Sequence, residues 1–425
     1  MKRLAVYLAV IVTAFVLGCG KEKTAEAGSL GTRGVWVSCF EYENYGLKDK
    51  TESEFRQNVN RMFANIKASG CNTVYFHVRS FDDAIYPSRV VGWSKMMSSS
   101  GKALPYNPLK IIVSSAHRYR LKFHAWMNPY RVTSKKVLDP GKASTTARIV
   151  SQVKEIIGGY AVDGIHFDDY FYPTNEKKYN KVSKATKKAN VNKMVRTVYN
   201  TVKAKKKSLK FGISPAGNIK YCEKIGADVR TWLSQSGYVD YIVPQLYWSD
   251  NYILAGKKKK MFRDCLAQWR AINTRDVPMY IGLALYKTGI SLKEDIGWKK
   301  SSQNIAKQLK QIRKGNSEGY VLFSYTDLFR AGAAKEIKHY LETIGKIKLN
   351  RKKKTLKVGK KFKLQASAWP TRIKNIKWRS ANKKIATVSK KGVVKAKKKG
   401  KVKIYAYYGK LKKACTIVVK KKKKK

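Results

Sequence analysis

The chain has 425 residues, 43% of them hydrophobic and 12% aromatic, enough apolar surface to bury large cores, so global disorder is excluded. Lys and Arg number 91 against 27 Asp and Glu, a formal charge of +64, and the excess is uneven: from position 346 onward there are 33 basic residues and no acid. Such a tail calls for an anionic partner, either nucleic acid or an anionic cell envelope.

The N-terminus chooses between these. Lys2 and Arg3 precede an apolar run over 4–17, which has the length of a signal-peptide core and is short for a membrane span. The run ends in Val16-Leu17-Gly18-Cys19, which resembles a bacterial lipobox. That resemblance implies a signal peptide over 1–18, a lipid-bearing Cys19, a polar tether over 19–30, and export to the outer face of the bacterial cell membrane. Plain secretion and a retained anchor helix are the alternatives, although no stop-transfer pattern follows, and export argues against a nucleic-acid partner. The other cysteines, Cys39, Cys71, Cys222, Cys265 and Cys415, are odd in number and form no C-x-x-C pair. They suit buried apolar positions better than a zinc cluster or a disulfide framework.

Eight short β-rich runs follow, over 34–39, 73–79, 121–127, 164–169, 210–214, 241–246, 279–285 and 320–325. Amphipathic segments separate several of them, among them 54–68 with a stop at Gly70, 147–157 closed by Gly158-Gly159, and 302–314 closed by Gly315. Eight strand–helix units over 31–345 predict a (β/α)8 TIM barrel of the α/β class. No G-x-G-x-x-G follows the first run, which removes the main support for a dinucleotide-binding sheet, and no cofactor is expected.

Active sites of such barrels lie at the C-terminal ends of the strands, so polar residues there become the site candidates. Alternation along a strand places His77 with Arg79, His124 with Trp126 and Asn128, and His166 with Asp168 and Tyr170 on inward faces. Gln245, Tyr247 and Trp248 follow the sixth run. Aromatic faces that stack on rings, mixed with fixed polar groups that read hydroxyls, suit a sugar. Glycosidic cleavage usually needs two carboxyl groups. Asp168 is the candidate nucleophile or base, with Asp169 bracing it. Asp83 is the candidate acid, ahead of Asp82, Glu41, Glu43, Asp250 and Asp327. His77, His124 and His166 with Asp168 could alternatively ligate a catalytic metal, although no H-x-E or H-E-x-x-H spacing supports this.

These residues resemble the bacterial family-10-like glycosyl hydrolases. The resemblance is carried by Arg33-Gly34-Val35-Trp36, His77-Val78-Arg79, Asp83-Ala84, His124-Ala125-Trp126-Met127-Asn128-Pro129-Tyr130-Arg131 and Asp163-Gly164-Ile165-His166-Phe167-Asp168-Asp169-Tyr170. Asp240-Tyr241-Ile242-Val243-Pro244-Gln245-Leu246-Tyr247-Trp248 extends it. The likeness implies a (β/α)8 glycoside hydrolase acting on envelope polysaccharide, with peptide-free peptidoglycan strands as one substrate. The family's Pro and Gly are missing from Arg79-Ser80-Phe81-Asp82-Asp83-Ala84, which changes the loop around Asp83.

Residues 346–419 resemble a bacterial Ig-like domain of the second group, carried by Ile385-Ala386-Thr387-Val388-Ser389 and Gly392-Val393-Val394-Lys395-Ala396. Trp378, with alternating apolar residues on both sides, fits a small all-β sandwich, followed by a poly-Lys tail over 420–425. With no acid, this part should attract anionic wall polymers, unless it is only a basic spacer. The combined expectation is a lipid-anchored glycoside hydrolase in which Asp168, Asp169 and Asp83 act on a glycan held by Arg79, His77, His124, Trp126, Asn128, His166, Tyr170, Gln245, Tyr247 and Trp248. Its rivals are a metal-dependent polysaccharide deacetylase on the same barrel and a non-catalytic glycan-binding lipoprotein.

Overall fold

Parallel strands need long crossovers, and amphipathic helices supply them while covering the outer face of the sheet. The computed structural model describes residues 31–314 and 319–421. The expected lipid-bearing Cys19, its leader and tether, the helix stop at Gly315 and Lys422 onward lie outside the described residues.

Eight strands run in parallel: β1 (Thr32–Val37), β2 (Thr73–Arg79), β3 (Lys122–Met127), β4 (Gly164–Phe167), β5 (Lys210–Ile213), β6 (Tyr241–Ile242), β7 (Tyr280–Ala284) and β8 (Gly319–Phe323). β8 pairs back onto β1, and bridges Ile242↔Met279 and Gln245↔Gly282 close the ring between β6 and β7. The result is the expected TIM barrel. β6 is shorter than its apolar run suggests, because Pro244 offers no N–H to the ladder. β4 stops at Phe167, which leaves Asp168 just past the strand end.

The main helices are α1 (Glu52–Ala68), α2 (Pro108–Arg118), α3 (Ala143–Gly159), α4 (Lys184–Lys205), α5 (Met261–Ile272), α6 (Asn304–Arg313) and α7 (Ala334–Ile344). α1 opens with a capping box between Thr51 and Glu54, and Gly70 follows it at φ +89°, the left-handed conformation that favours glycine. α3 includes Gly158 and Gly159 in its last turn instead of stopping before them. Val35, Phe76, Phe123, Ile165 and Phe211 point outward into the helix layer, while Trp36, Tyr75, Trp126, Tyr241 and Val321 fill the barrel interior. Among the described residues, no helix is long and apolar enough to cross a membrane.

The C-terminal part is all-β: β9 (Lys346–Leu349), β10 (Lys353–Lys357), β11 (Lys361–Lys363), β12 (Ala366–Trp369), β13 (Lys377–Ser380), β14 (Ala386–Val388), β15 (Val393–Ala396), β16 (Gly400–Tyr408) and β17 (Leu411–Lys420). A four-stranded sheet, β10-β17-β16-β13, faces a three-stranded one, β11-β15-β14, over a core that includes Leu364, Val394, Ile404 and Ile417. Trp378 packs against that core only partly buried, over Gly392.

This sandwich is fastened to the barrel. The Arg372 backbone N–H donates to Ala68 O at 3.0 Å, and its guanidinium donates to Ser69 Oγ at 3.2 Å and Leu328 O at 2.7 Å. Ile373 joins the barrel's main core, with Tyr408 and Leu411 packed against it. Ala68 ends a helix that runs antiparallel to the strands, so the sandwich meets the barrel at the end where strands begin, opposite the end where they finish.

Candidate active site

The strand ends surround a cavity of about 560 Å³ whose wall includes Trp36, Trp126, Asp168, Asp169, Gln245, Tyr247 and Phe323. Each side chain is placed by the last hydrogen bonds of the ladder. Asp168 N–H donates to Met127 O at 3.1 Å and Ser214 N–H to Phe167 O at 2.8 Å, so the ladder runs just past the strand end before the chain turns away. Asp168 keeps the inward face of His166 and enters the cavity 7% exposed.

The two adjacent aspartates form one titrating unit. Asp169 N–H donates to Asp168 Oδ1 at 2.9 Å, and Gln245 Nε2 donates to the same oxygen at 3.2 Å while also reaching Ser214 O at 2.9 Å. Burial raises the Asp168 carboxyl above its ordinary range, opposed by the Asp169 N–H. Burial also holds Asp169 well above that range, and the negative Asp168 beside it pushes the same way. Such a pair holds its first proton to a higher pH than an exposed carboxyl does. Among the described residues, these are the only carboxyl groups in the cavity wall.

The walls are aromatic. His77 stacks on Trp126 with ring centroids 3.9 Å apart and planes within 9°, and Tyr247 packs edge-on against Tyr286 and tilted against Phe323. Tyr170 is 44% exposed at the rim. Buried polar atoms normally find a partner; the His77 ring nitrogens, Trp126 Nε1 and Asn128 Oδ1 have none, and these three residues line the cavity. Burial keeps His77 neutral, its pKa well below the usual value, with Arg131 and Arg79 acting in the same direction.

Eight of the sequence candidates therefore line the cavity: Asp168, Asp169, His77, Trp126, Asn128, Tyr170, Gln245 and Tyr247. His124 and His166 lie deeper. Trp36 Nε1–H donates to His166 Nε2 at 3.2 Å, so His166 Nδ1 carries the proton toward the Tyr241 hydroxyl at 3.1 Å. That hydroxyl lies 2.8 Å from His124 Nδ1, completing a satisfied interior chain. Among the described residues, no group of three His, Cys, Asp or Glu side chains is placed to hold a metal ion.

Arg79 does not share the His77 face. The β2–β3 register shifts between the two residues, and the buried guanidinium turns to Gln152 Oε1 at 2.9 Å, Asp82 Oδ1 at 3.0 Å and Arg131 O at 3.3 Å. Asp83 lies outside the cavity wall, its Oδ1 accepting the Phe81 N–H at 3.0 Å. Asp82 is held by Arg79 and Arg148. Glu41 is buried and ties β1 to β8, taking the Ser38 and Thr326 N–H groups. Glu43 meets Lys48 at 3.8 Å, Asp250 accepts from Arg263 N–H, and Asp327 pairs with Arg330. Trp248 is partly buried in the core, over Gly217.

Trp36, Arg131, Tyr286 and Phe323 were absent from the sequence candidates but line the cavity. Inward parity on the first and eighth strands could have found Trp36 and Phe323. Tyr286, just past the seventh strand, sits where site residues of a barrel are sought.

The glycosyl hydrolase-like 10 family matches residues 31–137 and 130–300, and the bacterial Ig-like domain (group 2) matches 344–419. Glycosyl hydrolase YngK of Bacillus subtilis is 29% identical over 316 residues, and the match spans 60% of this chain and 61% of that protein's length. Glycosyl hydrolase DigH of Escherichia coli K12 is 29% identical over 348 residues, 65% of this chain and 78% of that one. The PgaB (BpsB) glycoside hydrolase domain from Bordetella bronchiseptica superposes with a TM-score of 0.50 at 12% identity, over 72% of this chain and 98% of that one, a likeness of fold.

Proposed function

Since the chain belongs to the glycosyl hydrolase-like 10 family, we propose that it is a cell-surface glycoside hydrolase that cleaves envelope polysaccharide, peptidoglycan glycan strands included. The observation that carries this reading is the Asp168–Asp169 pair at an aromatic-walled cavity. Asp169, the carboxyl pushed higher, carries the shared proton and gives it to the glycosidic oxygen as the C1–O bond breaks, the bonding electrons leaving with that oxygen. The pair, now doubly charged, stabilises the positive sugar carbon. A water then attacks that carbon and returns its proton to the pair, which completes hydrolysis. Trp126, Tyr247 and Tyr170 stack on the sugar faces, and the unpartnered atoms of His77, Trp126 and Asn128 meet its hydroxyl or amide groups.

Attachment completes the proposal. A lipid on Cys19 would hold the enzyme at the outer face of the membrane, and the acid-free sandwich would bind an anionic wall polymer. The test is release of reducing ends from intact and peptide-free peptidoglycan, with products identified by mass spectrometry. Asp168→Asn and Asp169→Asn should each lower kcat by about 10²- to 10⁴-fold with unchanged circular dichroism. No release by the wild-type protein from any envelope glycan, or full activity in both variants, would sink the reading.

A further inference from the structure

We propose that the glycan taken by this site carries a carboxylate close to the bond that is cleaved, and that Arg131 reads it. The inference rests on the glycosidase reading above and names its substrate more narrowly.

Three arginines crowd this side of the barrel mouth, and two are already committed. Arg79 and Arg148 both pair with Asp82, and Arg79 also binds Gln152. Arg131 is different. It forms no ion pair with a carboxylate among the described residues; its guanidinium donates to the Ser134 carbonyl at 3.3 Å and also hydrogen-bonds the Tyr170 side chain. Its guanidinium carbon stands over the Tyr170 ring, 3.9 Å from the centroid, with the Phe81 centroid at 5.6 Å. A guanidinium has five N–H donors, enough to grip a carboxylate through two parallel hydrogen bonds while keeping such contacts.

The backbone beneath it is built for position. Arg131 bridges Val137 across a tight loop, Leu138 N–H donates to Tyr130 O at 2.7 Å, and Arg79 Nη1 donates to the Arg131 carbonyl at 3.3 Å. Arg79 is thus a positioning residue for Arg131. Lys135 lines the same wall of the cavity.

The polar groups beside Arg131 are neutral. His77, Trp126 and Asn128 present uncharged, unpartnered atoms, which suit hydroxyl and amide groups. A cation next to neutral polar groups fits a sugar that is neutral except for a single anionic substituent. Arg131 also lowers the proton affinity of Asp168 and Asp169. A carboxylate arriving on Arg131 would offset that effect and help the pair keep the proton it must donate.

A carboxylate of this kind has two sources: the lactyl ether of peptide-free peptidoglycan, or the ring of a polyuronic acid. In intact peptidoglycan the lactyl carboxyl is masked as an amide. The experiment uses the full chain, with kcat/KM measured on peptide-free peptidoglycan and on the same glycan after its carboxyls are reduced to alcohols. A second arm uses polygalacturonate and its reduced form. The wild-type protein should favour the carboxylated member of one arm by about 10- to 100-fold, and that arm names the source. Arg131→Gln should bring the ratio close to unity, and Arg131→Lys should restore part of it.

A wild-type ratio near unity in both arms overturns the proposal. So does an Arg131→Gln protein that loses rate equally on both members, because Arg131 would then serve only the aspartates. Calorimetric binding of the same glycans to Asp168→Asn protein separates the two claims. A carboxylate preference in binding without any wild-type cleavage would refute the hydrolase reading alone, and binding without preference would refute the role of Arg131.

Discussion

His124 sits inside the barrel with Nδ1 2.8 Å from the Tyr241 hydroxyl, and burial lowers its pKa from the usual 6.5 to about 4. The unfolded chain therefore takes up this proton near pH 6.5 and the folded one only near 4. The stability that the neutral ring supports is complete above pH 6.5 and drains away as pH falls toward 4. Replacing the ring by an amide that cannot titrate removes this dependence. His124→Gln should be less stable than wild type at pH 7.5, and the deficit should shrink by up to about 3 kcal/mol at pH 4 in urea unfolding. A deficit that does not change with pH would mean the ring is not held neutral. The same histidines show what strand alternation can tell and what it cannot. Parity aims His124 and His166 inward, where the structure has them. Parity alone does not give depth, which also needs the place where the strand ends: His166 precedes Asp168 by two residues, and at about 3.3 Å per residue it falls roughly 7 Å below the carboxylate, and it is not in the cavity wall.

At the level of the strand, small residues make room for the large rings that this interior chain needs. A Cβ on Gly212 of β5 would stand 2.4 Å from the Tyr241 ring, whereas one on Gly158 of α3 would meet nothing within 4 Å. Gly212→Ala should therefore destabilise the barrel by about 1–3 kcal/mol through overpacking. Gly158→Ala, in a helix, should be neutral or mildly stabilising. Equal melting shifts in the two variants would refute the packing argument. Elements of this kind were largely legible beforehand, because apolar runs and helix stops are local: β2 begins and ends where its apolar run does, and α1 stops at Ala68, just before Gly70. The candidate site was legible only where regular alternation holds. The register shift in β2 reverses the face of Arg79, and an irregularity of that kind leaves no trace in hydrophobic spacing. Arg131 stands on a loop beyond its strand, where alternation has no meaning, so nothing in the pattern distinguished it from the other arginines around the mouth.

Across the whole molecule, charge and architecture divide the work. The outer face of the sandwich's four-stranded sheet follows from strand register. Lys377 and Arg379 of β13 lie opposite Tyr407 and Tyr405 of β16. Lys403 lies opposite Thr416 of β17, which pairs with Lys353 of β10, and Lys357 lies opposite Lys420. The alternate residues, Val402, Ile404, Ile417 and Val419, are buried in the core, so these cations all point to solvent from one flat surface. Neighbouring strands are about 4.8 Å apart, so the charges form a dense lattice with no acid to interrupt it. A chain of repeating anions can meet several of them at once, whereas a small anion cannot. Because the sandwich meets the barrel at the end opposite the cavity, a polymer held there leaves the mouth open to substrate. Reversing Lys353, Lys357, Lys401 and Lys403 to Glu should weaken retention on purified wall teichoic acid by about tenfold or more in low salt, and by less at high salt. Hydrolysis of short soluble glycans should not change. The control reverses Lys361, Lys363, Lys391 and Lys395 around the smaller sheet, which alters net charge by the same amount. If both quadruple variants lose retention equally, net charge alone is responsible and the flat sheet face has no special part in binding; if only the first does, that face is where the polymer lies.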